Sequence, residues 1–436
     1  MNFNESLSYL YALGYELSVK KFGLENTVKL LRALENPERN FLKVQVAGTN
    51  GKGSTCAFLD AICVGAGIKT GLYTSPHLVS ITERIKINGE EISEEDFARH
   101  ATKIRNISEK LLESGELTAL PTFFEQVTAI SLSVFEAAKI ELAILETGLG
   151  GRFDATTSTN AEIVALTPID FDHQDILGNT LAEIAAEKAA IIRADTTVIV
   201  APQPREAERI ILGKCREERV APIFASTDFI IKKQDSPFGQ IFSVTFKTSN
   251  DLYPNVPLFM LGRHQITNAS LAISAAESLR NLGFDITQNA ITNGLQTARH
   301  KGRLEFYNGI LFDGAHNIAG AKALVNYLDE FIKQPITLVF GAMKDKDLRE
   351  IADVLFPKAE YMIFTMPEHP RSAATTDLIE FVPKNFSREK VFQTSKVTAA
   401  IENAREISGE KYLICVTGSL YLVGEAQKHL AASGKH

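Results

Sequence analysis

The stretch Val44-Gln-Val-Ala-Gly-Thr-Asn-Gly-Lys-Gly-Ser-Thr55 places three glycines, a lysine and three hydroxyls directly after an apolar run. Glycines let backbone N–H groups converge on phosphate oxygens, and the helix that follows contributes the positive end of its dipole. Lys52 adds a cation for the β/γ-phosphates of a nucleoside triphosphate. The spacing differs from the standard G-x-x-x-x-G-K-[ST] loop, because only Thr49 and Asn50 separate Gly48 from Gly51-Lys52 and because Gly53 precedes Ser54. Strand, glycines, lysine, hydroxyls and helix nevertheless arrive in the order that nucleotide binding requires.

Other reactive side chains follow the ends of further apolar runs. Thr74-Ser-Pro-His77 comes after Lys69–Tyr73, Glu146-Thr-Gly-Leu-Gly-Gly-Arg-Phe-Asp154 after Ile140–Leu145, and Thr167-Pro-Ile-Asp-Phe-Asp-His-Gln-Asp175 after Glu162–Leu166. In an open parallel sheet, ligands bind beyond the carboxyl ends of the strands. One edge would therefore gather Lys52, Ser75, Glu146 and His173. A hydroxyl, a carboxylate and an imidazole beside phosphate oxygens make a reasonable Mg2+ site, since hard cations prefer oxygen. The bland alternatives are a solvated histidine, a capping glutamate and a merely solvated acidic loop at Asp170, Asp172 and Asp175.

In Asn179–Arg193, Lys188 falls one turn after Ile184 and one turn before Ile191 and Ile192, on the apolar stripe of an N-capped helix. Two readings stay open. The stem can pack on apolar surface while the ammonium reaches water or a carboxylate. Alternatively, desolvation keeps the amine neutral, able to act as a ligand or to take up CO2 as a carbamate.

The elements that must position these residues read as an α/β pattern. Strands at Lys43–Ala47, Lys69–Tyr73, Ile140–Leu145, Glu162–Leu166 and Thr196–Val200 alternate with helices at Ser54–Ala66, Glu94–Leu112, Thr122–Ala138 and Leu181–Ile192. That predicts a mostly parallel sheet with helices on both faces. Phe229–Lys232 and Gln240–Phe246 add a small antiparallel piece within 225–258. A second α/β run has strands at Ile310–Phe312, Ile336–Phe340, Tyr361–Phe364 and Tyr412–Val416, and helices at Ile318–Phe331, Lys396–Ala404 and Leu420–Leu430. The expected division is residues 1–297, a polar linker at 298–302, and a smaller Rossmann-like domain at 303–436. A length of 436 residues suits two or three domains. The net charge of -7 removes any global field toward nucleic acid or acidic lipid. No apolar run approaches the ~18 residues of a bilayer span. The four cysteines form no C-x-x-C pair, and the N-terminus has no basic-then-apolar leader. A cytoplasmic protein is expected, without nucleic-acid or membrane partners.

Taken together, several motifs resemble the folylpolyglutamate synthase/dihydrofolate synthase family of the Mur ligase superfamily, and most closely its bifunctional bacterial type. They are Gly48-Thr-Asn-Gly-Lys-Gly-Ser54, Ser75-Pro-His-Leu with Thr82-Glu-Arg-Ile, Glu146-Thr-Gly-Leu-Gly-Gly-Arg152, Glu187-Lys188, Gly262-Arg-His-Gln-Ile-Thr-Asn-Ala269, Asp313-Gly-Ala-His-Asn317 and Thr417-Gly-Ser-Leu-Tyr421. The similarity runs from about Gly23 to Tyr421. It implies a P-loop-type ATP-binding central domain carrying the folate loops, followed by a glutamate-ligase domain. It also implies an ATP-dependent amide ligase in which the γ-phosphoryl group activates a pteroate or folate carboxylate as an acyl phosphate. The amine of L-glutamate then attacks, releasing ADP and phosphate.

The resemblance implies roles residue by residue. ATP would be held by Asn50, Gly51, Lys52, Gly53 and Ser54, with Asn268, Arg303 and Asp313 on the adenine and ribose side. One Mg2+ would take Ser75 and Glu146, and a second His173 and Lys188 as its carbamate. A monovalent cation is an open addition. Dihydropteroate or folate would meet Thr122, Phe123, Phe124 and Glu125, and also Phe153, Asp154 and Ala155; Phe124 would stack on the pterin and Asp154 pair with its ring nitrogens. His316 and Ser419 would face glutamate, and Lys52, Lys188 and His316 would be catalytic. A monomer is expected. The chain departs from the family pattern at Arg152-Phe-Asp-Ala-Thr-Thr, where Arg-Leu-Asp-Ala-Thr-Asn is usual, and at Glu187-Lys-Ala-Ala-Ile-Ile-Arg193, where Glu-Lys-Ala-Gly-Ile-Ile-Lys is usual. Two rivals remain: a Mur-type ligase acting on a UDP-muramyl precursor, and a regulatory ATPase that forms no amide. The short segment before the loop, about 45 residues, leaves no evident room for a UDP-binding domain.

Overall fold

The computed structural model describes residues 1–14, 23–236 and 239–433. Short, largely apolar runs build the centre of an eight-stranded sheet made of β1 (Leu42–Ala47), β2 (Thr70–Tyr73), β3 (Ile85–Ile87), β4 (Glu90–Glu91), β5 (Leu142–Glu146), β6 (Ile163–Leu166), β7 (Thr197–Val200) and β8 (Pro222–Phe224). The order is β4-β3-β2-β5-β1-β6-β7-β8, with β1 central, and the pairs are parallel except at the β2-β3-β4 edge. Val44 pairs with Ile144 on one side and Ile163 on the other.

Both faces are covered, as continuous apolar strands demand. Val44, Val46 and Ile144 face the helices Lys52–Gly65, His264–Asn281 and Gln288–Thr297. Tyr73, Ala143 and Leu145 face Phe123–Ala138 and Glu94–Glu113. The sequence-derived strands and helices lie within three or four residues of the observed ones. The β3-β4 hairpin and β8 escape the pattern, being two or three residues long and partly exposed.

The antiparallel piece is β9 (Phe229–Ser236), β10 (Gly239–Lys247) and β11 (Leu252–Leu258). The Pro-Phe of its expected turn, residues 237–238, lies outside the described residues. The second sheet has the order β12-β13-β17-β14-β15-β16, using β12 (Glu305–Tyr307), β13 (Ile310–Asp313), β14 (Ile336–Phe340), β15 (Ala359–Phe364), β16 (Val391–Gln393) and β17 (Leu413–Thr417). All its pairs are parallel except β12-β13. Helices Ile318–Phe331 and Leu348–Leu355 cover one face, and Val397–Ser408 and Leu420–Ser433 the other.

The two lobes touch at several points. Arg263 makes a two-pronged pair with Glu330, both contacts 2.8 Å. Phe242 of β10 meets Phe331 edge-to-face at 5.2 Å. The loop after β2 presses Leu78 onto Gly302 and Val423, and a Cβ on Gly424 would sit 2.0 Å from the Leu78 carbonyl oxygen. No helix among the described residues is long and apolar enough to cross a membrane.

Candidate active site

Strand β1 delivers the chain into the glycine turn, whose geometry only glycine satisfies at two points. Gly48 has φ +146° and Gly51 φ +88°; a Cβ would stand 1.8 Å from Thr167 Oγ1 at the first and 2.2 Å from Asn268 Oδ1 at the second. The turn opens the helix Lys52–Gly65, whose first-turn N–H groups face a cavity of about 410 Å3. Thr49 ties the turn to the β6 loop: its N–H donates to Pro168, its hydroxyl donates to the Asp170 carbonyl at 2.9 Å, and the Asp170 N–H donates back at 3.0 Å. Lys52 Nζ donates to the Gly48 and Thr49 carbonyls, both at 3.1 Å. Asn50, Gly51, Lys52, Gly53, Ser54, Asn268, Arg303 and Asp313 all line this one cavity.

Ser75, Glu146, His173 and Lys188 line it too, so the expected row of strand-end ligands is assembled. The Glu146 carboxylate is buried at the end of β5 and accepts the Ser75 N–H at 3.0 Å. Burial raises its pKa, while Lys52, the Ser75 amide, Arg303 and Arg84 oppose the rise. A Cβ on Gly53 would lie 3.3 Å from Glu146 Oε2, which shows how closely the carboxylate approaches the turn. Lys188 is 4% exposed, and its Nζ donates to the Gly48 carbonyl at 2.9 Å. It is therefore shut off from solvent, and among the described residues it forms no ion pair with a carboxylate. Burial, helped by the Lys52 charge, brings its pKa down to about 7, which leaves much of the amine neutral near neutral pH. His173 takes left-handed backbone at φ +50° ahead of the short helix Gln174–Leu177; burial lowers its pKa to about 4 against the pull of Asp172. Among the described residues no group of three or more His, Cys, Asp or Glu stands ready to hold a metal ion. Hydroxyl, phosphate and carbamate oxygens would have to complete a shell.

The second lobe closes the cavity through groups that sequence reasoning passed over. Asp172, left open as a merely solvated acid, is the hub. Lys346 Nζ, from the loop after β14, donates to its Oδ1 at 2.6 Å, and Asn317 Nδ2 donates to its Oδ2 at 3.0 Å. Burial opposes ionisation of Asp172, but the surrounding histidines and Lys346 more than offset it and hold its pKa well below the carboxylate range. Asn317 also exchanges side-chain hydrogen bonds with Asn50 across the lobes. The available signal for Lys346 was the charged run Met343-Lys-Asp-Lys-Asp347 directly after a buried strand. His316 Nδ1 lies 2.7 Å from the Gly314 carbonyl; assigning the proton there leaves Nε2 as an acceptor. Burial lowers its pKa to about 4. Asp313 accepts the Leu304 and Ala315 N–H groups, and burial raises its pKa to about 6.

A neighbouring cavity of about 530 Å3 shares Ser75, Gly148, Leu149, Gly150, His173 and His316 with the first, and it holds Thr122–Glu125, Phe153–Ala155 and Ser419. The expected pteroate residues do not all present themselves to a ligand. Thr122 and Glu125 form a capping box on the helix Phe123–Ala138, and Glu125 also accepts from the Thr27 hydroxyl. Phe123 is 3% exposed, stacks on Tyr11 at 5.7 Å and carries the Arg84 guanidinium over its ring. Both oxygens of Asp154 are engaged by its own loop: they accept the N–H groups of Gly148, Leu149 and Thr156 and the Thr156 hydroxyl. In this conformation Asp154 shapes the loop and does not offer its oxygens to a ring. Phe124 packs against Gly148 and beside Tyr73, and Phe153 is 46% exposed; both rings line the cavity.

Two domain families match the chain. Residues 46–276 match the Mur ligase middle domain, and residues 302–420 the Mur ligase glutamate ligase domain. The fold and site thus define a Mur-type ligase. A Bacillus subtilis dihydrofolate synthase/folylpolyglutamate synthase is 35% identical over 423 residues, covering 94% of this chain and 95% of the relative. Escherichia coli FolC in complex with DHPP and ADP superposes with a TM-score of 0.85 at 28% identity, covering 100% and 99% of the two chains. A bifunctional folylpolyglutamate synthase/dihydrofolate synthase with Mn, AMPPNP and L-glutamate bound gives 0.83 at 28% identity, covering 99% and 98%. The chain belongs to the folylpolyglutamate synthase/dihydrofolate synthase family of Mur ligases, ATP-dependent enzymes that form carbon–nitrogen bonds.

Proposed function

We propose that this chain joins L-glutamate to dihydropteroate, and to folates, through an acyl phosphate formed from ATP. The observation that carries this reading is the shared wall of the two cavities. A triphosphate site at the glycine turn opens, past Ser75 and Gly148–Gly150, into an aromatic-lined chamber. A pterin held there would extend its carboxylate toward the γ-phosphate. The bifunctional relatives support both halves of the activity.

Each residue then has a chemical task. Lys52 would exchange two loop carbonyls for phosphate oxygens, which costs little because those carbonyls are weak partners for an ammonium. Asn268, Arg303 and Asp313 would hold adenine and ribose. The neutral Nε2 of His316 would accept the proton that glutamate's ammonium must lose before it attacks, with Ser419 beside it. Asn317, Lys346 and Asp172 hold the lobes together over the site, excluding the water that would hydrolyse an acyl phosphate.

The donor set fits two divalent cations. Ser75 and the buried Glu146 would hold one; His173 and Lys188 would hold the other, the partly neutral buried amine being suited to carbamylation. Bound there, magnesium would supply charge neutralisation to the triphosphate. We further assign residues 1–297 and 303–436 to separate domains joined at 298–302, and infer a monomeric cytoplasmic enzyme.

The test is direct. Purified protein with Mg-ATP, labelled glutamate and either dihydropteroate or a reduced folate should yield labelled amide with one ADP per bond. ATP hydrolysis with no amide would instead favour a regulatory ATPase.

A further inference from the structure

A third cavity, of about 440 Å3, opens from the point where the other two meet. It shares Ser75, Pro76 and Leu420 with both of them, and Arg303 with the nucleotide cavity. Its walls are the β3-β4 hairpin, one side of the helix Lys52–Gly65 and the linker at 297–303. Ser75 and Arg303 on its rim already have roles at the nucleotide; its hairpin side, with Lys86, has none.

Its charges are arranged unevenly. The three carboxylates are already engaged: Glu83 accepts the N–H groups of Leu78, Val79 and Ser80, Asp60 accepts the Thr70 hydroxyl at 2.6 Å, and Glu91 pairs with Lys301 at 3.0 Å. Two cations are held less firmly. The Lys86 ammonium makes no hydrogen bond among the described residues, and Arg303 has only a 3.5 Å contact to the Gly314 carbonyl. The aromatic cavity has the opposite balance. Its carboxylates Glu125, Asp154 and Glu187 are engaged too, Glu187 by Arg152, but they outnumber its cations Lys346 and Arg371, which are paired with Asp172 and Asp345.

The substrate chemistry distinguishes the two chambers. Every glutamate added to a folate leaves one more free carboxylate behind the reacting one. A chain of such carboxylates is a polyanion, poorly suited to an acidic, aromatic chamber and well suited to one with unpaired cations. As the chain lengthens, the reacting carboxylate must still reach the same γ-phosphate, so the earlier residues need an exit that starts at that point. The cavity beside the hairpin opens at Ser75 and Pro76 and meets this condition.

We propose that the cavity between the β3-β4 hairpin and the linker is the subsite for the glutamyl tail of a folate, its free carboxylates held at Lys86, with Arg303 at the boundary left to the nucleotide. This deepens the folate-ligase reading above and rests on it.

The experiment compares three acceptors, namely dihydropteroate, dihydrofolate with one glutamate, and the corresponding triglutamate, in the wild type, Lys86→Met and Lys86→Arg. Methionine keeps an unbranched side chain of similar length and removes the charge. For Lys86→Met, KM for the triglutamate should rise about tenfold, as expected for a lost charge-assisted contact, with kcat nearly unchanged. KM for ATP and for dihydropteroate should move less than twofold, and Lys86→Arg should restore the wild-type value. Independently of any variant, raising salt from about 50 to about 500 mM should raise the wild-type KM for the triglutamate far more than that for dihydropteroate. Equal effects on all three acceptors, or no salt difference between them, would overturn the tail site. So would a wild type that glutamylates dihydropteroate but no folate, an outcome that leaves the ligase reading intact. Failure to ligate any acceptor would refute that reading itself.

Discussion

The glycine turn and the aromatic chamber share a wall at Gly148–Gly150, yet their residues relate to function differently. At the turn, the side chains suited to phosphate chemistry are the ones lining the phosphate-sized cavity. In the chamber, Thr122 and Glu125 cap a helix, Phe123 fills the core, and Asp154 ties down its own loop. A phosphate is recognised chiefly by backbone N–H groups, whose positions follow from local chain geometry. A flat aromatic ring is recognised by the shape of a chamber, which walls distant in sequence create.

The contrast can be tested at several points, beginning where the loss should be largest. Lys188→Ala should reduce ligation by about a thousandfold or more, since it removes a charge-bearing ligand from the phosphoryl-transfer site; kcat measured with the protein's fold verified by circular dichroism checks this, and full activity would refute the carbamate. The next effect is a pH dependence. Only the neutral amine takes up CO2, and the folded-state pKa of Lys188 is lowered to about 7. The neutral fraction therefore grows from about a tenth at pH 6 to about nine-tenths at pH 8. Under limiting bicarbonate, activity should rise across that window and the rise should flatten when bicarbonate is saturating.

Two substitutions examine the chamber. Asp154→Asn replaces an acceptor for three amides with a group that presents an N–H donor on one side. It should lower stability by about 1–3 kcal/mol in denaturant titration, whereas a residue used only for the pterin would change KM and leave stability alone. Thr122→Ala, which removes half of a capping box, should cost about 1 kcal/mol, with a less than threefold change in KM for dihydropteroate. A large KM effect without destabilisation would return Thr122 to the substrate.

Much of the fold was legible because strands buried on both faces of a parallel sheet are rich in apolar residues, so β1, β5, β6 and β7 stand out by their Val, Ile and Leu. The β3-β4 hairpin and β16 were not, because short, partly exposed edge strands carry no such pattern. Within the site, Lys52, Ser75, Glu146, His173 and Lys188 could be read from their places at strand ends and on one helix stripe. Lys346 could not, since nothing near Lys346 in the chain announces the Asp172 it meets from 174 residues away.

The amino-acid sequence alone determined the two α/β units and the phosphate turn, since each follows from hydrophobic period and local backbone geometry, and it left open whether the Lys188 ammonium is buried, as the structure shows it to be. Tertiary structure decided which carboxylates remain available to a ligand and which are already engaged, as Asp154 and Glu125 are. It also decided how the lobes meet through Asp172, Asn317 and Lys346. A hydrogen-bonding group's partners depend on what lies within about 3 Å in space, and neighbours along the chain do not fix that distance.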